Sequence, residues 1–158
     1  MIRFSLLSHV IGVFFISIVP LIAVANMGDR GTSSAPADEN FAAGRRAIEA
    51  QDWESATAAM RKAAGADPGN PDAHNWLGFA LRKQGKYAEA FIAYREALRL
   101  NPDHRGAHAY IGEAYLQTDR LPEAEAHLAI LERLCSPIPC EESKDLKRAI
   151  DEYRKSRK

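Results

Sequence analysis

The sequence predicts an all-α helical-hairpin solenoid, in which stacked pairs of antiparallel helices are closed by a C-terminal capping helix. Three observations predict it. Similar residues return at a period of 34, without a gap, from residue 37 to residue 138. Small residues fall where two helices must approach closely: Gly44, Gly78 and Gly112, and Ala56, Ala90 and Ala124. Helix breakers punctuate the period, with Gly85 inside the central unit and Pro68 and Pro102 at unit ends.

The central unit, Pro71 to His104, is the clearest. Leu77 and Leu81 are four apart and share one face of a first helix. Gln84-Gly85-Lys86 breaks that helix. Ala90, Tyr94 and Ala97 form the matching face of a second helix, which Asn101-Pro102 ends. Upstream, Gly44, Ala56, Met60, Ala63 and Pro68 stand at the positions of Gly78, Ala90, Tyr94, Ala97 and Pro102. Phe41, Ala43, Ala47 and Ile48 give that unit's first helix its apolar stripe, and Asp52 is placed to cap the second before Trp53. Downstream, Ile111-Gly112, Tyr115, Ala124 and Leu128 repeat Leu77-Gly78, Leu81, Ala90 and Tyr94, while Leu131 replaces the small Ala97. Past the last unit, Leu146, Ala149, Ile150 and Tyr153 form one helical stripe, with acids early and Arg154, Lys155, Arg157 and Lys158 late.

The set Leu77-Gly78, Leu81, Ala90, Tyr94, Ala97 and Pro102 resembles the tetratricopeptide repeat (TPR) family, departing only at His74, where an aromatic is usual. The resemblance implies TPR units at 37–70, 71–104 and 105–138, with the capping helix and a basic tail in 139–158. It also implies a curved stack whose first helices line a concave groove holding an extended peptide or a partner helix. By position, that lining is Phe41 and Arg45, then Asn75, Phe79, Arg82 and Lys83, then Ala109, Glu113, Leu116 and Gln117. The TPR subclass that clamps the C-terminal carboxylate of cytosolic chaperones is not matched. Its Lys, Asn and Arg positions are Phe41, Arg45, Trp76, Gly106 and Tyr110 here.

Met1–Ala25 stands outside the repeats. Arg3 precedes an apolar stretch ending in Ala23-Val24-Ala25, the layout of a cleaved secretory signal peptide. The alternative is retention as a membrane anchor. Residues 26–36 are polar and rich in Gly and Ser, and read as a flexible linker. Cys135 and Cys140, the two cysteines of the chain, flank Ser136-Pro137-Ile138-Pro139. In an exported protein this pair reads as a structural disulfide, against redox-active thiols or a metal site completed by His127 or by His104 and His108.

Lys plus Arg and Asp plus Glu balance at 21 each, so no overall field recruits nucleic acid or an anionic membrane. The sequence holds no G-x-S-x-G elbow, phosphate-binding glycine loop or H-E-x-x-H pair. Glu113 and Glu123 read as solvated helix-face carboxylates. The expectation is therefore a non-enzymatic protein–protein interaction scaffold of the cell envelope, exported to a bacterial periplasm. It has a protein or peptide ligand, no cofactor, no metal, no nucleic-acid partner and no membrane contact after cleavage; an oligomer is left open. The alternatives are a membrane-anchored assembly factor of the same build, and a thiol- or metal-handling accessory centred on Cys135 and Cys140.

Overall fold

The computed structural model describes residues 36–157; the leader at 1–25 and the linker up to residue 35 lie outside the described residues. Seven helices follow one another: α1 Pro36–Glu49, α2 Trp53–Ala66, α3 Pro71–Lys83, α4 Tyr87–Leu100, α5 Arg105–Gln117, α6 Leu121–Leu134 and α7 Glu141–Ser156. No strand occurs among the described residues.

The helix ends are set locally, and the devices recur with the period. Asp52 caps α2 by accepting the Ser55 N–H at 3.0 Å, as its position predicts. Asn70 caps α3 by accepting from the Asp72 and Ala73 N–H groups. The matching residue before α5 is His104, whose Nδ1 accepts the Ala107 N–H at 3.1 Å while Nε2 reaches Asp72 at 3.0 Å. His104 is thus a cap that also ties α5 to the start of α3. Within each pair the turn passes through left-handed backbone, at Gln51 (φ 57), Gly85 (φ 73) and Asp119 (φ 59). Glycine occupies this conformation freely, whereas the other two carry about 1–2 kcal/mol of strain each.

The first two pairs pack through a glycine. A Cβ at Gly78 would stand 2.6 Å from Tyr94 Cε1, and one at Gly44 would stand 2.8 Å from Met60 Cε. The ring of Tyr94 and the thioether of Met60 therefore lie directly on the backbone of the facing helix, both fully buried. The third pair differs. A Cβ at Gly112 would meet Leu146 of α7 at 2.6 Å, so the residue seated on this glycine comes from the capping helix and not from Leu128 of α6.

Stacking is asymmetric. α3 packs on both α1 and α5, and α5 packs on α7, whereas the backbones of α2, α4 and α6 do not approach one another. First helices therefore crowd together on the inner side of a curve, and second helices splay on the outer side. At the C-terminal end, Leu146 and Ile150 of α7 are buried with Ala109, Leu116, Ala124 and Leu131. Arg154 pairs with Glu125 at 2.7 Å and Arg157 with Asp119, so cations of the basic tail anchor α7 to α6 and the turn before it. Cys135 and Cys140 are placed as a disulfide joining the end of α6 to the start of α7, with Cα atoms 5.5 Å apart.

Where α4, α5 and α6 meet, rings fill the outer side. Phe91 lies 4.7 Å from Tyr115, Tyr115 5.7 Å from His127, and His127 5.1 Å from His108. His108 Nε2 is 2.8 Å from the Pro102 carbonyl, which only accepts, so this nitrogen carries the proton. The neutral His108 Nδ1 then accepts from His127 Nδ1, 2.8 Å away. Burial lowers the pKa of both; for His127, burial and the adjacent His108 take it to about 4.

Two predictions follow from this packing. Gly78→Ala should lower stability by roughly 1–3 kcal/mol, because the Tyr94 ring must move. Gly65→Ala, with nothing within 4 Å, should instead add up to about 1 kcal/mol of helix propensity. Denaturant titration of both variants checks the opposite signs, and a stabilising Gly78→Ala would contradict the ring-on-glycine contact. The histidine pair gives the second. Folded values below the ordinary 6.5 mean that the unfolded chain binds more protons. The pair's contribution is complete above that value and declines as pH falls toward about 4, the folded value of His127. His127→Phe keeps the stack and should flatten the loss of melting temperature between roughly pH 7 and pH 4.5; an unchanged slope would remove the pair from the acid response.

Candidate functional site

The inner face of the stack carries a run of rings contributed by α2, α3 and α5. Trp53 opens α2. Trp76 and Phe79 are three apart on α3, and Tyr110 of α5 stands one period beyond Trp76. Phe79 is central, 6.0 Å from Trp53, 5.5 Å from Trp76 and 4.9 Å from Tyr110, and Trp76 lies 5.8 Å from Tyr110. All four are half-buried.

Cations sit on these rings. The Arg45 guanidinium is 4.0 Å above the Trp76 ring, and Lys83 Nζ lies 5.8 Å from Trp53 and 5.4 Å from Phe79. Neither Arg45 nor Lys83 forms an ion pair among the described residues. Arg82 differs, being 4 % exposed. It pairs with Glu113 at 2.9 Å and lies under Phe79 and Tyr110, at 5.3 and 6.0 Å. Burial, with the Glu113 charge adding to it, raises the Tyr110 pKa. Burial does the same to Tyr94, against the opposing effect of the nearby Arg82.

The residues expected from repeat position divide into two groups. Arg45, Phe79, Lys83 and Glu113 come together on the accessible inner face. Arg82 is buried, so it is a strut between α3 and α5 and not an open contact. Asn75 is 2 % exposed and Leu116 8 %, so they too present no free surface. Asn75 is covered where α5 begins, against Gly106. Leu116 is covered because α7 stacks on α5. Ala109 is equally buried, whereas Gln117 is exposed. Phe41 packs on the Ala63, Ala64 and Ala73 cluster. Position alone passed over Trp53, Trp76 and Tyr110. The signal for two of them is in the sequence, since Trp76 is i−3 from Phe79 and Tyr110 repeats Trp76 one period on.

Such a surface can stack apolar or aromatic side chains and attract carboxylates to Arg45 and Lys83. Among the described residues no group of three His, Cys, Asp or Glu is placed to hold a metal ion.

The buried strut yields a prediction. Arg82→Ala should cost roughly 1–3 kcal/mol, because Glu113 loses its partner and the two rings lose their support. Pairing Arg82→Met with Glu113→Gln should recover most of it. Lys83→Ala should change stability by no more than about 0.5 kcal/mol. Equal melting of Arg82→Ala and wild type would show that the ion pair is not structural.

Comparison with known proteins converges on one repeat. Two family models, both described as tetratricopeptide repeat, match residues 41–104 and 81–133, and together they span more than half of the chain. The protein O-mannosyl-transferase Tmtc3 of Drosophila melanogaster is 30% identical over 74 residues, which is 47% of this chain and 8% of that protein. The chain thus spans under a tenth of that relative. Among solved structures, the TPR2B domain of yeast Sti1, in complex with an Hsp70 peptide, superposes with a TM-score of 0.71 at 16% identity, covering 78% of this chain and 99% of that one. The Yersinia enterocolitica type III secretion chaperone SycD, in complex with a peptide of the translocator YopD, gives 0.69 at 18% identity, covering 81% and 99%. With the helix pairs, the glycine contacts and the period on the same register, the chain belongs to the tetratricopeptide-repeat family.

Proposed function

We propose that this protein is a non-enzymatic scaffold of the cell envelope that holds an extended peptide or a helix of a partner protein on its inner face. The observation that carries the reading is the four-ring surface of Trp53, Trp76, Phe79 and Tyr110 with Arg45 and Lys83 lying on it. Aromatic and Arg side chains are the residues that most often dominate interface energetics. Half-buried rings held by a rigid helix stack lose little conformational entropy on binding. The Sti1 and SycD structures, each with a peptide, support the class of ligand.

Export rests on the sequence of Met1–Ala25 and on the Cys135–Cys140 pair. An oxidising compartment would keep that pair bonded, which favours the scaffold over the thiol-handling alternative. Sequencing the mature N-terminus distinguishes a cleaved leader, starting at Asn26, from a retained anchor.

Binding is tested by capture from envelope extracts with wild type, Trp76→Ala and Arg45→Ala proteins, with melting curves alongside. Each substitution should weaken capture of the same partners by about 2 kcal/mol if the residue is a hot spot. Equal capture by both variants would move the working surface away from the inner face.

A further inference from the structure

The outer side of the stack is not uniform, and the period shows why. Between α4 and α6, Phe91, Tyr115 and His127 form the ring stack described above. The residues one period earlier are Thr57, Leu81 and Ala93. Leu81 and Ala93 are smaller than Tyr115 and His127, and at this junction a trough of about 610 Å³ lies between α2 and α4, floored by α3. Leu77, Leu81 and Ala93 form its apolar base. Ile92 stands on its rim, 65% exposed; it and Ile138 are the large hydrophobic residues most open to solvent among those described. Exposed apolar surface rimmed by polar residues is a feature of interaction grooves.

The rim is charged, and its charges do not cancel. Arg61 pairs with Glu89 across the trough, and Arg99 pairs with Glu96 at 2.7 Å. Arg95, also lining the trough, forms no ion pair among the described residues; its Nε donates to the Phe91 carbonyl at 3.1 Å, leaving the rest of the guanidinium uncommitted. From Glu89 to Arg99 the wall runs about three turns of α4, ~15 Å. An elongated apolar slot of that length between two helices has the dimensions of helix-in-groove recognition.

We propose that the α2/α4 trough is a second docking surface, taking an amphipathic helix of a partner protein that turns branched apolar residues into the slot and an acidic residue toward Arg95. This surface is independent of the inner aromatic face. The half-buried Leu77 and the exposed Ile92 meet the occupant over a floor of buried Leu81 and Ala93, and the uncompensated Arg95 charge sets its sign preference.

The probe is a synthetic helical peptide of about three to four turns, with Leu at i, i+4 and i+7 and Glu on the flanks. Its counterpart carries Lys in place of Glu. Methyl NMR titration of the purified protein reads out Ile92, Leu77, Leu81 and Ala93. The acidic peptide should shift these signals saturably and bind at least about tenfold more tightly than the Lys peptide. Ala93→His installs the residue that fills the neighbouring junction and should abolish the shifts. Arg95→Glu, on the surface and safe for folding, should reverse the peptide preference. Trp76→Ala should leave the titration unchanged, which separates this site from the inner face. The proposal is overturned by shifts that map to Trp76 and Tyr110, by equal affinity for both peptides, or by a preference that Arg95→Glu leaves in place. It is overturned equally if the protein alone sediments as a dimer that Ile92→Ser dissociates, since a second copy would then fill the trough.

Discussion

The structure depends on how closely two helices of a pair can approach. At Gly44 and Gly78 there is no side chain, and Met60 and Tyr94 lie on bare helix backbone. A dispersion contact of this kind is strong because it is dense. Both side chains are fully buried against that backbone and out of reach of water. The contact also sets how far apart the helices stand and how they are oriented. Since the first two pairs are built on the same contact, their geometry repeats along the chain.

Curvature follows from that propagation. The backbones of the first helices approach one another and those of the second helices do not, so the inner side is tight and the outer side is open. On the tight side, half-buried rings from the neighbouring first helices α3 and α5 are brought together at tilted angles. Arg82, which would be solvated on an isolated helix, becomes an ion-paired strut to Glu113. On the open side, the gap between second helices has to be filled by side chains or left vacant. The α4/α6 junction fills it with rings and a neutral histidine pair, and the α2/α4 junction leaves a slot.

The last pair shows how such a stack stops. Gly112 is covered by Leu146 of α7, a helix with one apolar face and one charged face. The apolar face closes the array by burying Leu116, Leu131, Leu146 and Ile150 together. The charged face ends it, since it offers no surface on which another pair could stack. The ion pairs of Arg154 and Arg157 act at the same joint.

Much of this was legible in the residues alone. Helix number, helix ends, the pairing and the capping helix are properties of spacing and local chemistry. Small residues recur where backbones meet, caps precede helices, and turn residues separate them. The candidate face was legible in part: Arg45, Phe79, Lys83 and Glu113 follow from repeat position. What position could not supply is how deeply a side chain is covered, because that depends on neighbouring pairs. Arg82, Asn75 and Leu116 share the repeat logic of accessible residues, but α5 covers the first two and α7 the third. Trp53, Trp76 and Tyr110 gain their role only when three helices place their rings within 6.0 Å of Phe79. The trough is likewise a difference between two junctions of the same build, where Leu81 and Ala93 stand in place of Tyr115 and His127. Sequence by itself determined the repeat, because a helix pair is local; tertiary structure decided which surfaces stay open, because burial is a property of the stack.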